Sequence, residues 1–331
     1  MSYLKHSKKE GKKFQNPVPT EMMTDKMRRV LWRYIKEGSA GEPKNRIGPF
    51  KTDINIYNTV PDSGLRVTLI GHSSLLIEID GVKLLTDPVW AQRASPFSFA
   101  GPKRFYDAPI ALNDLPPLDA IILSHDHYDH LDKEVMKYFA NKQVSFYCSL
   151  GVGAHLVKWG IDASRITAMD WTNTVTIADK IKLTAVPARH FSGRSMFNRN
   201  ETLWSAFVIK GQDNNVFFGA DSGIFPGFKD IGDAYGPFDI AMLEIGAYNK
   251  SWADIHMGPS NATDAMLMLN AKQMMPIHWG TFNLALHAWK EPIELLLKHA
   301  QEKGINLFVP EPGIPSDVTG EEHISRWWER Y

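Results

Sequence analysis

Residues 120–134 read AIILSHDHYDHLDKE, and the fold turns on what the middle of that stretch is for. Three histidines and two aspartates fall within positions 125–130, directly after an apolar run. Buried imidazoles and carboxylates crowded together are costly unless something binds them. The run AIILS has the length and composition of a strand buried on both faces, and DKEVMKYFANK reads as a helix that Asp132 could cap. His125 and His127 then lie two apart in extended chain with side chains on one side, and Asp129 and His130 follow in the turn. Four ligand-type residues at one strand tip can serve two metal ions.

Two ions need more than four ligands. The other candidates share a context, each closing an apolar strand: His190 after KLTAVPAR, Asp221 after NVFFGA and His278 after QMMPI. The expected arrangement puts His125, His127 and His190 on one ion, and Asp129, His130 and His278 on the other, with Asp221 bridging. A set made only of His and Asp suits two Zn²⁺, with Fe or Mn as alternatives. Ions about 3.5–4 Å apart bind a substrate oxygen and generate a hydroxide near neutral pH. A purely structural zinc is normally closed, four-coordinate and rich in cysteine, and no cysteine lies in this set.

Outward from this centre, the chain organises into strands and turns. LRVTLIG, SSLLIEIDG and VKLLTDP read as consecutive strands from Leu65, with Asp80-Gly81 as a hairpin turn. The second half repeats the rhythm, with strands at TVTIADKIKLTAVPA, LWSAFVIKG, NNVFFGAD, DIAMLEIG, MMPIHW and INLFVP, and helices over 260–271 and 291–302. Runs of strands followed by interspersed helices, twice over, predict two packed sheets with helices outside. Residues 1–50 are expected to form a separate N-terminal part, and residues 51–331 the catalytic domain. Within the former, residues 1–19 read as a flexible tail. The stretch TEMMTDKMRRVLWRYIKEG reads as a basic amphipathic helix, with Met23, Met27, Val30, Leu31, Tyr34 and Ile35 on one face.

Composition sets the outer bounds. The chain has 331 residues, 44% hydrophobic and 22% charged, enough apolar material for a large core. Formal charge is zero, but residues 1–36 hold ten Lys or Arg against three acids, which leaves an acidic body. With basic residues confined to the front, no nucleic-acid partner is expected. No stretch approaches 18 consecutive apolar residues, and the basic N-terminus has no apolar segment behind it, so neither a spanning helix nor a secretory signal is expected. The one cysteine, Cys148, reads as a buried small hydrophobe within VSFYCSL. It excludes an intramolecular disulfide and fits a cytoplasmic location.

The motifs SHDHYDH, GHSS, TDP, ARH, GAD and IHWG together resemble the metallo-β-lactamase fold. The flanking text ASPFSFAGPKRF, LPPLDAIILSHDHYDHLD, ARHFSGR, ETLWSAFVI and PIHWGTFNLA, over residues 65–312, is similar to the N-acyl-phosphatidylethanolamine phospholipase D family and its bacterial relatives. The resemblance implies an α/β protein of α+β type, a four-layer αββα sandwich holding two zinc ions on the seven residues named above. It implies hydrolysis of a phosphodiester between phosphatidate and an N-acylethanolamine, and a homodimer. His256 matches a histidine that the family places near substrate, although Ile255 stands before it where the family has an amide. Asp129 and His256 are therefore the catalytic candidates, with Tyr128 and His256 as substrate contacts. Asp87 and His72 are expected to orient metal ligands from behind. The N-terminal helix is a candidate for peripheral contact with a membrane surface. A lactonase or carboxylic-ester hydrolase and a nucleic-acid phosphodiesterase are alternatives that the same metals could serve.

Overall fold

The protein is described here by a computed structural model covering residues 2–22, 41–195 and 197–331. The chain opens with a hairpin, β1 (Lys8–Glu10) and β2 (Lys13–Gln15). The first half then contributes β3 (Leu65–Gly71), β4 (Ser74–Ile79), β5 (Val82–Thr86), β6 (Ala120–Leu123), β7 (Ser145–Ser149) and β8 (Ile166–Met169). Helices α1 (Lys133–Phe139) and α2 (Gly153–Lys158) connect the last three of these strands. The second half contributes β9 (Thr174–Ile177), β10 (Ile181–Pro187), β11 (Ser205–Lys210), β12 (Asn215–Phe218), β13 (Ile240–Glu244) and β14 (Met274–Ile277). Its helices are α3 (Gly227–Tyr235), α4 (Gly258–Leu269) and α5 (Glu291–Lys303). Three two-residue strands close the chain, β15 (Phe308–Val309), β16 (Ser316–Asp317) and β17 (His323–Ile324).

These strands form a seven-stranded sheet, ordered β16-β3-β4-β5-β6-β7-β8, and a six-stranded sheet, ordered β14-β13-β12-β11-β10-β9. Each begins as an antiparallel meander and ends in parallel pairs, β5-β6-β7-β8 in one and β12-β13-β14 in the other. The β4–β5 hairpin turns at Asp80 and Gly81, both with positive φ, as the Asp-Gly pair predicts.

The central strands read as near-continuous apolar runs instead of alternating with polar residues, because both faces of each sheet are covered. Between the sheets lie Val67, Ile77, Leu84, Ile122, Leu183, Phe207, Phe218 and Met275. The outer face of the first sheet packs under α1 and α2 through Ile121, Leu123, Val135, Met136 and Leu156. The outer face of the second packs under α4 and α5 through Phe217, Ala241, Leu243, Met266 and Leu296. The result is the expected four-layer αββα sandwich.

The N-terminal residues differ from expectation. Residues 2–22 are docked on the body, with no flexible tail among them. Phe14 is 1% exposed and packs with Trp171, Ala188, Leu203 and Trp204. An isolated two-stranded hairpin is marginal in water, and burying one Phe side chain contributes roughly 1.5–3 kcal/mol toward holding it. Short lysine-rich sequence hid a single well-placed aromatic. The basic amphipathic helix expected from residue 20 onward lies, beyond Met22, outside the described residues.

Candidate metal centre

Strand ends place every expected ligand at one edge of the sandwich. His125, His127, Asp129 and His130 follow β6; His190 follows β10, Asp221 follows β12, and His278 follows β14. The adjoining turns are strained. Asp87 (φ 34°), Ala220 (φ 47°), His72 (φ 59°) and His278 (φ 61°) all occupy the left-handed region, a cost of about 1–3 kcal/mol each that tends to gather at functional sites.

The side chains converge in four overlapping groups: His125, His127, His190 and Asp221; His72, Asp129, His130 and His278; Asp221, Glu244, His256 and His278; and Asp87, His125 and His130. In the first, His125 Nε2 stands 2.9 Å from His127 Nδ1, His190 Nε2 stands 3.4 Å from the same nitrogen, and Asp221 Oδ2 lies 3.8 and 3.5 Å from His125 and His190. In the second, Asp129 Oδ2 lies 3.7 Å from His130 Nε2 and 3.4 Å from His278 Nε2. Asp221 also reaches two members of this group, with Oδ1 3.2 Å from His130 Nε2 and Oδ2 3.1 Å from His278 Nε2. One carboxylate thus touches both of these groups, at the position expected of a bridging ligand.

The chemistry of this set fits metal ions. Buried His130 Nε2, His278 Nε2 and Asp221 Oδ1 lie within 3.1–3.2 Å of opposite charge yet make no hydrogen bond of good geometry, which leaves their lone pairs free for a cation. The electrostatics agree. Burial, with neighbouring imidazoles adding to it, pushes the His125 ring well below its usual range. Burial opposes charge on His278 as well, yet Asp221 and Asp129 overcome it and push that ring up to about 10. Asp221 is held well below the usual carboxylate range by His130 and His278 against the effect of burial. Cations placed among the nitrogens would satisfy the carboxylates without protonating the rings.

Asp87 and His72, expected to orient ligands, each contact one, and each also stands in one of the ligand-capable groups. Asp87 Oδ2 accepts from His130 Nδ1 at 2.8 Å, and its two oxygens also take the Ser124 amide and hydroxyl at 2.7 and 2.5 Å. That fixes the His130 tautomer and leaves Nε2 for the centre. His72 Nε2 lies 3.0 Å from Asp129 Oδ2. His190 is oriented by Nδ1 donating to the Ile255 carbonyl at 2.9 Å.

Tyr128 requires a correction. The chain coils at 127–131, with Leu131 N–H donating to the His127 carbonyl, so successive side chains diverge by about 100°. Tyr128 therefore points away from its ligand neighbours. Its hydroxyl donates to the Arg194 carbonyl at 3.1 Å and its ring lies 3.9 Å from the Arg194 guanidinium carbon. It lines a separate groove with Phe97, Trp159 and Arg194.

His256 does face the centre. Its ring centroid is 5.0 Å from His190 and 5.3 Å from His278, and it lines a cleft of about 330 Å³ with His127, Asp129, Asp221 and His278. Among the described residues, Met22, Phe191, Trp252 and Leu284 make the cleft's rim apolar, and Arg199 adds a guanidinium to it. The residue that sequence reading missed is Glu244. It is fully buried and accepts from His256 Nδ1 at 2.6 Å, Ser222 N–H at 2.9 Å and Met257 N–H at 3.3 Å. A lone acid ending the apolar strand DIAMLEIG was the available signal.

A two-sheet sandwich whose strand tips gather buried His and Asp side chains beside an open cleft defines a metal-dependent hydrolase. A family model described as a beta-lactamase superfamily domain matches residues 83–279, and this chain belongs to that superfamily. Uncharacterized protein Rv0906 of Mycobacterium tuberculosis is 42% identical over 95% of this chain and 85% of its own length. N-acyl-phosphatidylethanolamine-hydrolyzing phospholipase D 1 of Caenorhabditis elegans is 38% identical, over 67% of this chain and 65% of its own. Among solved structures, Igni18, a metallo hydrolase from Ignicoccus hospitalis, shares the fold with a TM-score of 0.59 at 21% identity, over 76% of this chain and 97% of its own. No helix among the described residues is long and apolar enough to cross a membrane.

Proposed function

We propose that this protein is a dinuclear zinc phosphodiesterase that cleaves N-acyl-phosphatidylethanolamine, in the manner of a phospholipase D, to N-acylethanolamine and phosphatidate. The observation that carries the proposal is His256, held by a buried carboxylate at the lip of the metal centre in a cleft with an apolar rim. The similarity to the nematode phospholipase supports the substrate class.

His125, His127 and His190 would hold one ion, and Asp129, His130 and His278 the other, with Asp221 shared. Ions bound there supply Lewis-acid polarisation of a phosphoryl oxygen and a water with its pKa lowered to about 7. The chain's own residues do the rest. Arg199 at the rim offers positive charge to the phosphodiester, while Phe191, Trp252 and Leu284 offer apolar contact to acyl chains. Glu244 accepts a hydrogen bond from the Nδ1–H of His256, which turns Nε2 toward the cleft. Water adds to phosphorus and gives a proton to Nε2 of His256, the P–O bond to the N-acylethanolamine breaks, and Nε2 passes that proton to the departing oxygen.

The test is incubation of the zinc-loaded protein with N-acyl-phosphatidylethanolamine, beside His127→Ala. Release of N-acylethanolamine and phosphatidate, absent in the variant, is the expected result. Inert lipid together with rapid opening of a lactone would overturn the substrate assignment and transfer the site to carboxylic-ester chemistry.

A further inference from the structure

We infer that the N-terminal strap, residues 14–22, is a working part of the metal centre, with Asn16 as the positioning residue for the ligand His190. The inference rests on the metal assignment above but not on the substrate.

Asn16 meets the main chain of His190 on both sides. Its Nδ2 donates to the His190 carbonyl at 2.7 Å, and its Oδ1 accepts the His190 amide at 2.9 Å. A side-chain amide has one donor and one acceptor end, so this pairing fixes the peptide on either side of a single residue. That residue is the ligand that closes the first group of imidazoles. With the ring held at Nδ1 by the Ile255 carbonyl, His190 is fixed through both its backbone and its side chain.

The strap is itself fastened at several points. Phe14 is buried beneath it, and the Phe14 amide donates to the Asn200 carbonyl at 2.8 Å. Further along, Arg189 donates to the Pro19 carbonyl at 2.7 Å and to the Thr20 hydroxyl at 3.0 Å, and pairs with Asp254 at 2.6 Å. The Glu21 amide donates to the same Asp254 carboxylate at 2.9 Å. Asp254 begins the loop that carries both Ile255 and His256. The strap therefore ties the His190 turn to the loop bearing the proposed proton donor, and ends with Met22 on the cleft's rim. A hairpin needed only to cover apolar surface would require Phe14 and no polar group aimed at a ligand's peptide.

The test compares wild type with Asn16→Leu, which removes both hydrogen bonds at similar volume, and Asn16→Asp, which keeps only the acceptor. Tyr3→Ala, loosening a contact with Phe225 made by the residues before the strap, is the control. Zinc retention is read by competition with a chromophoric chelator, and ligand geometry by the visible spectrum of the cobalt-loaded proteins. Partners that orient a metal ligand typically govern affinity by about 10–100-fold. Asn16→Leu should lower the affinity for one ion by at least about tenfold, shift the cobalt bands, and leave the other ion in place; Asn16→Asp should fall between it and wild type, and Tyr3→Ala should match wild type. Should Asn16→Leu not fold, the intermediate affinity of Asn16→Asp decides. Wild-type affinity and spectrum in the Asn16 variants, or an equal loss in Tyr3→Ala, would overturn the inference. Two ions on wild type with lipid left uncleaved would sink the proposed substrate and leave the strap's role standing.

Discussion

Replacing Glu244 by glutamine separates orientation from metal binding, because three donors converge on that carboxylate and an amide can accept at only one of its two ends. Oε1 takes the Ser222 and Met257 amides, and Oε2 takes His256 Nδ1. If the glutamine oxygen stays with the two backbone groups, its NH₂ faces His256 Nδ1 and forces that nitrogen to accept. The imidazole then carries its proton on Nε2, without a carboxylate to support the charged form. A hydrogen bond to a charged group contributes about 1.5–3 kcal/mol, and 1.36 kcal/mol corresponds to tenfold in rate. The variant should therefore lose about 10- to 150-fold in kcat on N-acyl-phosphatidylethanolamine, with KM and zinc content close to wild type. Nitrogen-15 NMR of the histidines should show His256 changing tautomer. A kcat within twofold of wild type in a folded, zinc-replete Glu244→Gln protein would refute this role for Glu244, as would an unchanged tautomer.

Three further outcomes are expected. Asp87→Asn should weaken binding at the ion held by His130 by about 10–100-fold, measured by chelator competition, since it disturbs the 2.8 Å bond to His130 Nδ1. Burial pushes the Cys148 thiol up to about 12, so a chromogenic thiol reagent at neutral pH should react only after denaturant unfolds the chain. Burial, reinforced by His278, holds His72 down to about 3; the unfolded chain then takes up this proton below about pH 6.5 while the folded chain does not. Stability of the metal-free protein from this group is therefore full above pH 6.5 and lost as pH falls toward about 3, and urea unfolding of His72→Asn should show a shallower loss across that window.

The His and Asp cluster was legible because its signals are local: ligand-type residues at strand tips, where apolar runs stop abruptly. Helix α5 was placed to within a residue for a similar reason, since apolar periodicity and a glycine end mark it. Helix α3 was missed because PGFKDIGDAYG carries glycines and aspartates that lower helix propensity, and packing of Phe228 and Ile231 into the core outweighs that. The direction of Tyr128 was not legible, because rotation within a coiled turn depends on backbone bonds that no alternation reports. Asn16 was hidden for a different reason. Its partner lies 174 positions away, and nothing in NPVPT signals a long-range contact. Glu244 stood in plain view, but a single acid at a strand end acquires meaning only once His256 arrives from another loop.

The ligands divide unevenly between the two sheets, with one turn from the first and three separate loops from the second. Any cation they share is therefore a cross-tie between the halves of the sandwich. In a chain with one cysteine, that tie does what a covalent bridge does in secreted proteins, yet it answers to different chemistry. Thiol reductants would leave such a tie whole, whereas a chelator would cut it.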